Sequence, residues 1–358
     1  MMQEKKESAY AHILERGEYS IKKDKVFANI PELFRDGSEK AESQNRADLA
    51  NWLVSEDNPL TARVTVNRLW YYLIGRGLVE TTEDFGIMGA RPTHPELLDW
   101  LAVEFMESGW DIQHVIKLIT SSATYQLSDK VESAQREKDP NNLYLGRSSR
   151  FRLEAEQIRD HALASSGLLV RKIGGPSVKP YQPEGLWKAV AMNQSNTRHY
   201  KQDKGENLYR RSLYTFWKRT AAPASMEILN APTREFFCVR RDRTNTPLQA
   251  FVTMNDVQFL EAARHLATTA VKTGDTFDQR LDHISRKLLG RIFESEERTI
   301  VRKSFDALST RYQSDEELAK KLLSNGESPT DTSIPAPELS TWMMITSQIF
   351  NLDENLTK

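Results

Sequence analysis

From residue 45 to 122, apolar side chains recur every three or four positions, the period of a helix with one buried face. Asn45 is placed to cap a short helix that turns Leu49, Ala50, Leu53 and Val54 inward. Asn58-Pro59 opens a longer one. Ala62, Val66, Leu69, Trp70 and Leu73 line its buried face, Thr61, Thr65, Arg68 and Tyr72 its other face, and Gly75 and Gly77 stop it. After the polar turn Glu80-Thr-Thr-Glu-Asp-Phe-Gly86, the run Thr93-His94-Pro95-Glu96 reads as a capping box for a helix that buries Leu97, Leu98, Leu101, Ala102, Phe105 and Met106. Asp111 caps a fourth helix with Ile112, Val115, Ile116 and Ile119 as its stripe, so residues 45–122 predict an all-helical bundle.

Beyond a polar connection at 128–142, a helix over about 153–169 is expected to bury Ala155, Ile158, Ala162 and Leu169 and to turn Glu156, Arg159 and Asp160 to another side. Residues 174–205 are rich in Gly, Pro, Asn and Gln and read as a long functional loop. Segments 208–217 and 235–240 alternate in polarity and carry aromatic and β-branched residues, which predicts two paired strands. Thr246-Pro247-Leu248-Gln249 then starts a second helical block as a capping box with proline at the first helical position, recapped at Asn255-Asp256. Helices are expected around Leu281, over 294–312 and 315–323, and around Trp342, with a Ser/Pro/Thr linker at 325–337. The fold class that follows is mainly α, two helical blocks around a small β-containing, loop-rich middle. Its parts are 1–44, the remnant of a preceding domain with a linker; 45–170, the first block; 171–245, the middle; and 246–358, the second block.

Composition changes this picture in three places. The chain has one cysteine, Cys238, which leaves no internal disulfide, Cys-x-x-Cys pair, cysteine-rich zinc site or c-type haem attachment, and its apolar run Phe236-Phe237-Cys238-Val239 predicts a small hydrophobe. No structural metal and no cofactor are expected. The start, Met1-Met-Gln-Glu-Lys-Lys-Glu, lacks the apolar core of a signal peptide, so the chain alone is not expected to be exported, and no apolar run is long enough to span a bilayer. Net charge is −1, yet residues 147–243 hold 19 Lys and Arg against 9 Asp and Glu. That surplus is either matched by the acidic ends of the chain or offered to an anionic partner.

Three sets of polar residues are candidates for chemistry. Lys218, Arg219, Arg240, Arg241, Arg243 and Asn245 would sit at the ends of the two strands, where guanidinium groups can clamp carboxylate, sulfate or phosphate, or else pair with acidic side chains. Asp84 and His94, with Arg91, or Asp256 farther on, are the acid or base candidates, set against capping and packing roles. Glu156, Asp160 and His161 have a spacing that metal ligands can use, but no second histidine. Aromatics at Tyr181, Trp187, Tyr200, Tyr209, Tyr214 and Trp217 interleave with the cations and suit stacking on sugars or bases, with loop 174–205 as the cover, although core aromatics would look the same. Nucleic acid is not expected as a partner, since whole-chain charge is near neutral and no recognition motif appears.

The ordered blocks Asn58-Pro-Leu-Thr-Ala-Arg-Val-Thr-Val-Asn-Arg-Leu-Trp70, Gly75-Arg-Gly-Leu78, Glu83-Asp-Phe-Gly86, His94-Pro-Glu-Leu-Leu-Asp-Trp100, Gly109-Trp-Asp111, Arg210-Arg-Ser-Leu-Tyr-Thr-Phe-Trp-Lys-Arg219, Arg243-Thr-Asn-Thr-Pro-Leu-Gln249 and Asn351-Leu-Asp-Glu354 resemble the planctomycete-specific domain PSD1, also called DUF1553. One departure is Arg291-Ile-Phe293, where relatives carry proline after the arginine. The resemblance implies no catalytic residues. It implies a context: the C-terminal part of a large exported protein, behind a DUF1549 domain and often a cytochrome c-like domain, hence a periplasmic or extracytoplasmic location within a longer parent. Two functions remain open on these grounds, a non-catalytic binding or assembly module of a redox-associated protein, with anionic carbohydrate as its possible ligand, and a hydrolase or other enzyme acting on anionic polysaccharide.

Overall fold

Fifteen α-helices and one two-stranded sheet form the regular structure among residues 10–34 and 45–358, the residues described by the computed structural model. The mainly α class is therefore the observed one. The start of the chain and the 35–44 part of the expected linker lie outside the described residues. The chain divides into two compact units, Met1–Ser149 and Arg150–Lys358.

In the first unit, strands β1 (Tyr10–Glu15) and β2 (Glu18–Phe27) pair antiparallel through Arg16-Gly17, both at positive φ, as a two-residue hairpin turn requires. The segment expected to be a domain remnant with a linker thus holds a hairpin of its own, and Lys25 Nζ lies 3.8 Å over the Tyr10 ring. Helices α1 (Arg46–Leu53), α2 (Thr61–Ile74), α3 (Pro95–Glu107), α4 (Ile112–Ser121) and α5 (Ser133–Lys138) follow. Asn45 and Asp111 cap α1 and α4 as their spacing predicts. Helix α1 buries none of its residues, however, so Leu49, Leu53 and Val54 do not form the inward face expected of them.

The core of this unit is the α2 face Ala62, Val66, Trp70 and Ile74 against Leu98, Leu101, Ala102 and Phe105 of α3 and Val115 and Ile119 of α4. Asn58 accepts from the amides of Leu60 and Thr61 and so caps α2 from two residues before its N-cap. The Thr93–Glu96 capping box is not formed. His94 is the N-cap of α3, without a side-chain bond to the helix, because the Thr93 backbone is drawn instead onto the Leu78 carbonyl at 2.9 Å.

One buried polar residue sets the path after α2. Asn67, 1% exposed, donates to the Val79 carbonyl at 3.0 Å and accepts from the Val79 amide at 2.9 Å. A Cβ on Gly77 would strike both groups, so this close approach, and not only helix termination, is what calls for glycine.

The second unit contains α6 (Ala155–Ser166), α7 (Leu186–Val190), α8 (Ala224–Ile228), α9 (Pro247–Asn255), α10 (Val257–Thr273), α11 (Phe277–Leu289), α12 (Ser295–Ser314), α13 (Glu316–Leu323), α14 (Ala336–Phe350) and α15 (Asp353–Leu356). Its core is α10 packed along α14, with α6 also packed on α10 and with α11, α12 and α13 around α14. Chain end and unit start are tied together: Phe151 and Lys358 exchange backbone bonds of 3.2 and 2.8 Å, and Leu153 donates to Leu356 at 2.9 Å. The departure at Arg291 is compensated locally, since its guanidinium clamps Glu297 at 2.8 Å and Glu354 at 2.7 Å.

The two expected strands of the middle do not form. Residues 205–214 hold two short 3-10 turns, with single bridges from Val170 to Arg210 and from Val178 to Thr215, and 235–240 is irregular. The cause is competition for the backbone: the Leu208 and Arg210 carbonyls and the Ser212 amide are bound by side chains of α6. Substituting Asn67→Ala should lower unfolding free energy by about 2–3 kcal/mol, because two buried backbone groups lose their partner at once; thermal or denaturant unfolding of the variant measures it, and a change below about 0.5 kcal/mol would contradict the assigned role.

Candidate functional site

Arg241 and Arg243 are brought to the start of α6 by the way residues 230–249 fold back on themselves. Asn230, at positive φ, donates to Thr244 Oγ1 at 2.7 Å, and Gln249, 2% exposed, donates to the same hydroxyl and to the Ile228 carbonyl at 3.0 Å each. The intervening residues thus form a loop with joined ends, an Ω-loop. Gln249 is consequently unable to complete the capping box, and only Thr246 caps α9.

At the loop's base Arg241 Nη1 meets Glu156 at 2.5 Å and Glu154 at 3.1 Å, both at the start of α6. Arg243 lies 4.4 Å over the Phe151 ring. With Arg152, Glu154, Asn230 and Gln249 these arginines line a cleft that encloses only about 10 Å³, the space of a single water. Its positive charges face Glu154, Glu156 and Asp242, with Asp353 3.8 Å from Arg152. Burial lowers the Arg152 guanidinium pKa and the Asp353 charge opposes that shift. The arrangement locks a loop to a helix by paired charge. Glu156 is used here, Asp160 accepts from the Ser212 amide and hydroxyl, and His161 Nε2 pairs with Asn355 at 2.8 Å, so the three residues with metal-ligand spacing serve three different partners. Among the described residues no group of three or more His, Cys, Asp or Glu is placed to hold a metal ion.

Other members of the basic set lie outside this cleft. Lys218 donates to the Thr197 carbonyl at 2.9 Å and sits 5.0 Å from the Trp187 ring, fastening loop 174–205. Arg219, Arg240 and Asn245 are exposed. Trp187, expected to stack on a ligand, is 2% exposed and packs against Tyr200 and Phe216. Tyr181 accepts from the Glu327 amide, and Tyr209 donates to Glu261 at 2.9 Å; burial and then the Glu261 charge push the Tyr209 hydroxyl up to about 12. Within the Ω-loop Phe236 is 78% and Phe237 89% exposed, and Cys238 is exposed as well. The apolar run is thus largely exposed and not a buried strand.

The acid and base candidates have local duties. Asp84 accepts from the Gly86 amide at 2.7 Å, and His94 Nδ1 pairs with Thr93 Oγ1 at 3.0 Å. Asp256 caps α10 through the Gln258 amide at 3.0 Å; burial raises its carboxyl pKa, and the Gln258 bonds and the nearby Arg159 charge oppose that rise.

The family model described as a protein of unknown function, DUF1553 (PSD1), matches residues 45–305. The chain belongs to this family. No curated protein and no solved structure matches it. In this DUF1553 chain, residues within the matched range and at the C-terminal end beyond it do architectural work. Arg210, 3% exposed, donates to the carbonyls of Lys172, Gly174 and Pro176, and Asn351 accepts from Thr253 while Asp353 and Glu354 pair with Arg150 and Arg291.

The residue that sequence reasoning missed is Arg159. It is buried on the α6 face between Ala155 and Ala162, four residues from one and three from the other, and that spacing alone would have placed it inward. Arg241→Ala should cost about 2–3 kcal/mol by leaving two largely buried glutamates without their shared cation. Arg219→Ala, at an exposed position, should cost under about 0.5 kcal/mol. Parallel unfolding curves measure both, and equal costs would refute the distinction.

Proposed function

We propose that the chain is a non-catalytic binding or assembly module of a larger exported, redox-associated protein, with anionic carbohydrate as its ligand class and DUF1549 and cytochrome c-like domains as companions in the parent. The observation that carries the non-catalytic reading is the commitment of the candidate carboxylates. Asp84 closes a turn, Asp256 caps a helix, Glu156 pairs with Arg241, and Asp160 binds the Ser212 backbone. Glycoside hydrolysis calls for two carboxyl groups facing each other about 5–10 Å apart across an open cleft, and the cleft lined by Glu154 and Arg241 encloses about 10 Å³.

Support for the ligand class comes from the Ω-loop. Exposed Phe236 and Phe237 offer ring faces that suit sugar stacking, and exposed Arg219 and Arg240 belong to the same basic stretch of chain. The context of a larger exported parent rests on the family resemblance. No helix among the described residues is long and apolar enough to cross a membrane.

An array of sulfated and uronic-acid oligosaccharides, probed with wild type, Phe236→Ala/Phe237→Ala and Arg219→Ala/Arg240→Ala, tests the reading. Binding should weaken between about 0.05 and 0.3 M salt, as screened surface charges do, and each folded double variant should lose it. Chromatography of the same oligosaccharides after incubation should show no shortened products. Shortened products would reject the non-catalytic reading, and equal binding by both variants would reject the loop as the ligand surface.

A further inference from the structure

Helices α10 and α11 leave between them a solvent-open groove of about 570 Å³, bordered by Thr273, Gln279, Asp282, His283, Arg286 and Lys287. That volume is within the range of small-molecule sites, and the groove uses none of the residues of the Arg241 cleft. On α11, His283 lies four residues after Gln279, and Arg286 and Lys287 lie three and four residues after His283, so they share one face of the helix.

The charges of the groove are unequal in their commitments. Asp282 is engaged by Arg298 at 2.5 Å. Arg286 and Lys287 are exposed and form no ion pair among the described residues. Cations in the last turn of a helix suit its dipole, and that alone would account for them. It does not account for His283. Thr273 Oγ1 donates to the Thr269 carbonyl at 2.8 Å and lies 3.4 Å from His283 Nδ1. The threonine proton being used, Nδ1 is the donor of that pair and Nε2 carries the lone pair. Nε2 is shielded from solvent and has no hydrogen-bond partner among the described residues. Burial, and after it the Lys287 charge, lowers the His283 pKa, which favours the neutral ring.

An acceptor nitrogen without a donor, one helical turn from two uncommitted cations, calls for a ligand that is both anionic and a hydrogen-bond donor. We propose that this groove binds a phosphate or sulfate monoester carrying a free hydroxyl group: Arg286 and Lys287 hold the anionic oxygens, and His283 Nε2 accepts from the hydroxyl. Because Nε2 is shielded, the contact requires a side-chain shift at the groove rim, and Lys287, one turn beyond His283 on a long flexible stem, is free to take part in it. Phosphate and sulfate esters share this chemistry, and the choice between them is left to measurement.

The test is calorimetric titration of the full chain at low salt with glucose 6-phosphate, glucose 6-sulfate, inorganic phosphate, inorganic sulfate and glucose. Side-chain nitrogen spectra of His283 are followed in the same series. At least one ester should bind and shift the Nε2 resonance, glucose should not bind, and the ratio of the two esters reports which anion is preferred. Arg286→Gln/Lys287→Gln replaces exposed residues, so its fold should be retained, and it should weaken ester binding at least about tenfold through loss of charge-assisted bonds. His283→Phe should bring the ester affinity down to that of the inorganic ion. The proposal falls if neither ester binds the folded wild type, or if the double glutamine variant stays within about twofold. Inorganic ions binding as tightly as the esters, with Nε2 unmoved, would refute the histidine contact.

Discussion

A single buried guanidinium organises the loop-rich half of the second unit. Arg159 donates to Gln258 on α10 at 2.6 Å, to the Leu208 and Arg210 carbonyls at 2.8 and 2.9 Å, and to Ser212 Oγ at 3.2 Å, with the Asp160 carboxylate 3.6 Å away. Desolvation lowers its pKa, and the Asp160 and Asp256 charges oppose that. A buried charge is weak ground for a stability argument, since burying it costs several kcal/mol that its bonds must offset. Its value lies in placement. Once Arg159 holds 208–212, the Arg210 side chain reaches back to collect the carbonyls of 172–176, and the Tyr214 hydroxyl accepts from the Gly174 amide at 2.8 Å. Residues that cannot build a sheet or a helix are thereby fixed through side chains, one tier on the next.

The same logic explains what was legible in the sequence. Helices with a clean apolar stripe and a local cap, such as α4 behind Asp111 or α11 behind Thr276, follow from information within one or two turns of chain. Partners remote in sequence decided the rest. The polarity of 208–217 alternates as a strand does, yet its carbonyls are claimed by an arginine about 50 residues earlier, as the separations of 49 and 51 show. Thr93 has capping-box spacing, but Leu78 competes for it, and Gln249 is diverted to Thr244 and Ile228. Arg159 and Glu261 sit on apolar helix faces at fully buried positions, and a rule that turns charges outward places them wrongly.

For the candidate site the consequence is a division of labour among the cations. Arg241 and Lys218 are occupied in fastening loops, and Trp187 is spent in the core. Phe236, Phe237, Arg219 and Arg240 are exposed, which composition cannot distinguish from core aromatics and buried charges. The match to DUF1553 spans residues 45–305, which include the segments that hold these loops in position.

Hydrogen exchange measured residue by residue on wild type and Arg159→Lys tests the organising role of Arg159 most directly. The lysine retains a cation but not the fork that reaches four acceptors. The account predicts at least about tenfold faster exchange at the Val170, Val178, Ser212 and Phe216 amides, which bond within this tier, while amides of α10 and α14 keep their protection. Unchanged exchange at those four amides, or an equal loss across both helices, would contradict it.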